Sequence, residues 1–220
     1  MTEQKKHKKK AHPMLLTAKL ISSIFHPVYY PLVSLTLLFF CTFLEYAGIP
    51  HIIFTLCVTA LFTIFLPTLL TYVYRMLFSI SPQRFLLRHE RFMPYTLHLL
   101  CYFVLLHILH MVNAHGLVLD VIIVSILIQA CCTLINCFWK ISMHAAGAGA
   151  VLGFLTAHGA LFRSFSPILP IIISIIICGL VGTSRLILRR HTLSQVNVGT
   201  LMGILCGIAG TLLSSFRGFF

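Results

Sequence analysis

The chain has 220 residues, 59% of them hydrophobic and only 9% charged, with a mean hydropathy of +0.99. That balance excludes an ordinary soluble domain, whose surface needs far more charge. The net charge of +12 does not point to nucleic acid, because five of the sixteen Lys and Arg lie in the tail Lys5-Lys6-His7-Lys8-Lys9-Lys10 and most of the others cluster between apolar runs.

Residues 1–12 read as a disordered, basic cytoplasmic tail held near anionic headgroups. No small-residue cleavage site follows the first apolar stretch, which speaks against a signal peptide. Residues 13–30 are moderately apolar and carry His26-Pro27, with Pro31 just beyond; they either lie at the interface or begin the first span. A bilayer core needs about 20 apolar residues per helix, and on that basis spans are expected at 28–48, 52–79, 95–113, 117–138, 144–162, 167–184 and 196–214. Gly48-Ile49-Pro50, Ser81-Pro82, His115-Gly116 and Ser166-Pro167 separate them as turn signals. Runs such as 165–183 lack the alternation of a barrel strand. The expected fold is therefore all-α, a polytopic transmembrane helical bundle of six or seven spans, with residues 13–220 as one domain.

The eight cysteines are scattered through apolar segments with no CxxC, so they read as small buried hydrophobes. Two small-residue patterns predict close helix packing: Ala146-Gly147-Ala148-Gly149-Ala150 with Gly153, and Gly199, Gly203 and Gly207 at four-residue intervals. Each starts shortly after a histidine, His144 and His191, and packing the two helices together would bring those histidines to one depth.

Three polar clusters lie between spans, and with seven spans all three fall on one side. The first runs from Arg84 through Arg88 to Arg91-Phe92-Met93-Pro94, the second is Lys140-Ile141-Ser142-Met143-His144, and the third is Ser184-Arg185 followed by Arg189-Arg190-His191 and Gln195. They supply cations, while the whole chain has only Glu3, Glu45, Glu90 and Asp120 as carboxylates. Hard metal ions want oxygen ligands, so no metal and no cofactor are expected; arginine suits an anion site instead. His191 and Gln195 are four apart and share a helix face, so the Gln195 carbonyl would hold one imidazole nitrogen and leave the other as a nucleophile. His144 stands at a helix start, where exposed N–H groups favour phosphate, and is placed to protonate a leaving alkoxide. His107 and His110, three apart in an apolar span, read as helix-bonding histidines, with haem or metal ligation as the competing idea.

Ser184-Arg185-x5-His191 resembles the third signature of the type 2 phosphatidic acid phosphatase superfamily. Ser142-Met143-His144 resembles its second, usually Pro-Ser-Gly-His, and Arg84 to Pro94 its first, usually Lys-x6-Arg-Pro. The resemblance covers roughly residues 84–207 and suits the membrane-bound bacterial branch. It implies His191 as nucleophile through a phosphohistidine, His144 as general acid, and Arg91, Arg185 and Ser142 on the phosphate, with Arg84, Arg88 or Lys140 as the further basic partner. The departures are Ile141 and Met143 for Pro and Gly, two residues inserted between Arg91 and Pro94, and Gln195 for the usual Asp. Glutamine there is similar to the glucose-6-phosphatase and dolichyl-diphosphatase branches.

The expected function is a metal-independent lipid phosphate or diphosphate phosphatase in the bacterial cytoplasmic membrane, its substrate entering laterally from the bilayer. Two alternatives compete: a catalytically inactive binder or transporter of lipid phosphates on the same fold, and a redox protein using His107 and His110. The positive-inside rule puts the clusters on the cytoplasmic face, whereas the resemblance implies the opposite face.

Overall fold

The structure, a computed structural model, describes residues 13–41, 48–79, 92–161 and 168–217. The described residues form α1 (Pro13–Ile24), a 3₁₀ turn (Pro27–Tyr29), α2 (Tyr30–Cys41), α3 (Ile49–Ala60), a π-turn (Leu61–Phe65), α4 (Leu66–Leu77), α5 (Phe92–Met111), α6 (Gly116–Phe138), α7 (Met143–Leu161), α8 (Ile168–Ile187) and α9 (Leu193–Arg217). The expected all-helical bundle is what forms, and no strand occurs among the described residues. Six stretches are long and apolar enough to cross a membrane: Pro13–Phe39, Ile49–Leu77, Phe92–Met111, Gly116–Phe138, Ile168–Ile187 and Leu193–Leu213.

Two expectations need correction. The first span was expected at 28–48, with residues 13–30 either at the interface or beginning it; the second option holds, since helix starts at Pro13 and is broken at His26-Pro27. His26 turns the chain there: its ring nitrogen accepts from the Val28 amide at 3.5 Å, and Pro27 supplies the fixed φ of a helical first residue. The predicted span 144–162 forms as α7, yet its Gly, Ala and His content leaves it outside the six apolar stretches. Packing explains this: most of α7 from Ala145 to Gly153 is buried by other helices, so it need not be apolar for lipid.

The second predicted span forms as one stretch with a widened turn at Leu61–Phe65, where the Leu66 amide reaches back five residues to Leu61. Pro67 accounts for it. A proline cannot donate to the carbonyl four residues back and its ring clashes there, and an inserted π-turn relieves both faults.

α7 and α9 make the closest pairing in the bundle. Lipid is as apolar as leucine, so membrane helices associate through packing rather than through a hydrophobic effect. The glycines supply that packing: a Cβ at Gly199 would come 2.8 Å from the Ser142 carbonyl oxygen, and a Cβ at Gly203, Gly207, Gly149 or Gly153 would strike the backbone of Ala146, Ala150, Thr200 or Ile204 respectively. The two small-residue patterns thus face each other, as their spacing predicts. A second core forms between α2, α5 and α6, with Leu35, Leu105, Leu109 and Ile122 fully buried.

Of the cysteines, Cys101, Cys132 and Cys206 are buried as expected, while Cys57 and Cys137 are exposed. His107 and His110 lie exposed on α5, and no group of three His, Cys, Asp or Glu side chains is placed to hold a metal among the described residues.

Candidate functional site

The α8–α9 connection is built by two interlocking caps. α8 ends with Arg189 at φ 50°, the Arg189 amide bonding Leu186 O at 2.9 Å and the Arg190 amide bonding Arg185 O at 3.2 Å. This is a Schellman ending, and it reverses the chain directly after Arg185. α9 then opens with a capping box, Thr192-Leu193-Ser194-Gln195. The Gln195 amide donates to Thr192 Oγ1 at 3.4 Å and the Thr192 amide donates to Gln195 Oε1 at 3.3 Å.

The same Gln195 Oε1 lies 3.1 Å from His191 Nδ1. An oxygen that already accepts from an amide is an acceptor only, so His191 Nδ1 carries the hydrogen. In the neutral ring Nε2 is then left with its lone pair, the state a nucleophile requires. The sequence spacing predicts this contact, and the capping box fixes its geometry.

The α6–α7 connection reaches the same end of the bundle. The Ser142 amide donates to Gln195 O at 3.4 Å, and Lys140 Nζ donates to Arg190 O at 2.8 Å. Ser142 is fully buried and its hydroxyl accepts from the Ala145 amide at 3.4 Å, capping α7. Ser142 and Lys140, both expected on the phosphate, therefore tie the two connections together; neither lines the cavity described next.

A cavity of about 270 Å³ opens at this end, lined by His26, His98, Gln129, His144, Arg185 and His191 among others, with Ile141 and Met143 as apolar lining. Three of the expected site residues, His191, His144 and Arg185, thus share one cavity. Met143, standing where the resembled pattern has glycine, occupies part of its wall. Among the described residues no carboxylate lines the cavity, whose polar groups include the Arg185 guanidinium, the imidazoles and the Gln129 amide. Pro94, the end of the first cluster, is on the wall, while Arg84, Arg88 and Arg91 lie outside the described residues.

Sequence reasoning missed the contribution of α1 and α2. Ser22 touches two of the cavity residues: its hydroxyl accepts from Arg185 at 2.6 Å, and its carbonyl accepts from His144 Nε2 at 3.2 Å. The His26 ring stands edge-on to His144, centroids 5.2 Å apart at 82°. The Tyr30 hydroxyl donates to the His144 carbonyl at 3.3 Å, its ring lying where a Cβ on Gly147 would be. His26-Pro27 was visible as a motif, and Ser22 stands four residues before it, in the last turn of α1. Nothing in the sequence assigns either to a site 120 residues further on.

His98 and Gln129 were missed as well. His98 Nδ1 donates to the Pro94 carbonyl at 2.8 Å and Gln129 donates to the Tyr95 carbonyl at 3.1 Å. Both sit in apolar helices and join the cavity only because α5 and α6 pack beside each other. Comparison with models of known protein families, with curated proteins and with solved structures finds no match to this chain.

Proposed function

We propose that the chain is an integral membrane phosphatase that removes phosphate from a lipid phosphate or diphosphate through a phosphohistidine on His191. One observation carries the reading: His191, oriented through Nδ1 by Gln195, lines the same cavity as Arg185 and His144. The resemblance of the three clusters to the type 2 phosphatidic acid phosphatase signatures is its second support, and it favours the bacterial cytoplasmic membrane.

The reaction runs in two displacements. Arg185 neutralises the non-bridging oxygens as charge shifts during attack. His191 Nε2 bonds to phosphorus while the bond to the leaving lipid oxygen breaks, and that oxygen takes a proton from His144, which acts as the imidazolium. Burial and then Arg185 hold the His144 pKa down to about 3 in the state described, so the negative charge of the bound phosphate must supply that protonation. Water then attacks the phosphohistidine, its proton passes to His144, and inorganic phosphate leaves with His191 restored. In the state described, the Nε2 hydrogen of His144 is donated to Ser22 O, so proton delivery from that atom requires the leaving oxygen to take the place of the Ser22 carbonyl.

That contact, with Met143 in the cavity wall, also favours a second reading, a lipid-phosphate binder without turnover. Trapping separates the two. Brief exposure to a radiolabelled lipid phosphate followed by alkaline quench should leave acid-labile label on the wild-type chain and none on His191→Ala. Tight binding of the lipid with neither label nor phosphate release would decide for the binder.

A further inference from the structure

A second, larger cavity adjoins the polar one. It measures about 400 Å³, runs between α2, α7 and α8, and shares His26 with the arginine cavity. Its walls are Val33 and Leu37 of α2, Val151 and Leu155 of α7, and Ile173 and Ile177 of α8. Of its few polar side chains, Ser174 turns its hydroxyl to the Pro170 carbonyl of its own helix at 2.8 Å, and His158 stacks on Phe154 at the far end, centroids 5.7 Å apart. Tyr30 lines the apolar cavity and donates its hydroxyl to the His144 carbonyl.

We infer that this groove seats one hydrocarbon chain of the lipid whose phosphate occupies the arginine cavity. The inference rests on the phosphatase reading for its polar end and on the groove itself for the chain. Along α7 the lining runs from Ala148 to His158, about 15 Å at 1.5 Å per residue. That is half of the roughly 30 Å hydrocarbon core, the depth of one leaflet. A lipid with its headgroup at the His144 end would therefore lay one chain along the groove without leaving its leaflet, and any second chain stays in the bilayer. Moving a chain from bilayer to groove gains little from hydrophobicity, since both are apolar. Its effect is positional, fixing the phosphate against His191. The substrate class that follows is a phosphate or diphosphate on a chain long enough to fill a leaflet, chosen by its chain more than by its headgroup.

Ile173 and Ile172 offer a matched test, both about half exposed on α8, with only Ile173 lining the groove. Ile173→Trp fills the groove from its lipid-facing side, where a large side chain does not disturb the buried packing, and Ile172→Trp is the control. Two readouts are taken on the purified full chain: kcat/KM for a long-chain and for a short, water-soluble alkyl phosphate, and the sites labelled by a long-chain alkyl phosphate bearing a photoreactive group at its end. The expected result is a ten- to hundredfold loss for the long chain in Ile173→Trp, unchanged turnover of the short one, no effect of Ile172→Trp, and wild-type label on Leu155, His158 or Leu169 that Ile173→Trp removes. Equal effects on both chain lengths, or label spread evenly over the outward helix faces, overturns the groove. Groove label blocked by Ile173→Trp in a protein that releases no phosphate keeps the groove and discards the phosphatase.

Discussion

Gln195 does two things with one oxygen, closing the capping box on Thr192 and holding His191 Nδ1. The two roles separate by substitution. Gln195→Ala loses both and should cost about 1 kcal/mol of stability from the cap, together with a large fall in kcat. Gln195→Glu keeps an acceptor oxygen for each donor, so the thermal midpoint should stay near the wild type while turnover survives. A carboxylate there also stabilises the imidazolium, so the acid limb of the rate profile should move to higher pH in Gln195→Glu. Measured melting curves and pH–rate profiles of the two variants check this. An unmoved profile in a folded, active Gln195→Glu would show that the contact only caps the helix.

At this scale the sequence was legible where chemistry and local spacing coincide. His191 and Gln195 lie four apart beside a Thr-x-x-Gln box, and a local motif can be read without knowing the tertiary fold. Ser22 could not be read this way. One of two adjacent serines, Ser22-Ser23, in a mostly apolar helix carries no signal, and its contacts with Arg185 and His144 exist only because α1 packs on α8. For Lys140, a cation near Ser142, the sequence suggested phosphate and could not show that its ammonium donates to the Arg190 carbonyl.

Between elements, the pairing of α7 with α9 sets where the site residues stand, since each helix begins just after one connection of the site. Gly203 is the tightest point, where any Cβ would enter the Ala146 backbone. Gly203→Leu should force the helices apart, cost at least 1–3 kcal/mol as overpacking, and lower turnover of any phosphate substrate, short or long chain alike. Substituting the outward-facing Leu201 by Ala on the same helix should do neither. Thermal unfolding in detergent, read beside phosphate release, measures both. The glycine spacing announced this contact because backbone approach demands small residues wherever it occurs. The spans were equally legible, since α5, α6, α7 and α9 begin within three residues of expectation. α1 was not, because residues 13–24, cut off by His26-Pro27, are too short and too mixed to read as a span by themselves.

Across the whole molecule, the α6–α7 and α8–α9 connections meet at one end, joined by the Ser142 amide and the Gln195 carbonyl. The parity of the spans foretold that meeting. At this end a cation-lined cavity adjoins an apolar groove of leaflet depth, an arrangement suited to a ligand with an anionic head and a hydrocarbon tail. In the proposed reaction Arg185 and the imidazoles on the wall supply the charge and proton chemistry, and chelation should leave its rate unchanged. His107 and His110, the residues of the redox alternative, lie exposed on α5.

The most direct test is phosphate release by the detergent-purified full chain against a panel of long-chain lipid phosphates and diphosphates, in EDTA, with His191→Ala beside it. The account predicts release from the wild type that EDTA does not diminish and that His191→Ala abolishes while keeping the wild-type elution profile and melting curve. Undiminished release from a folded His191→Ala protein, or no release from the folded wild type on any member of the panel, would contradict it.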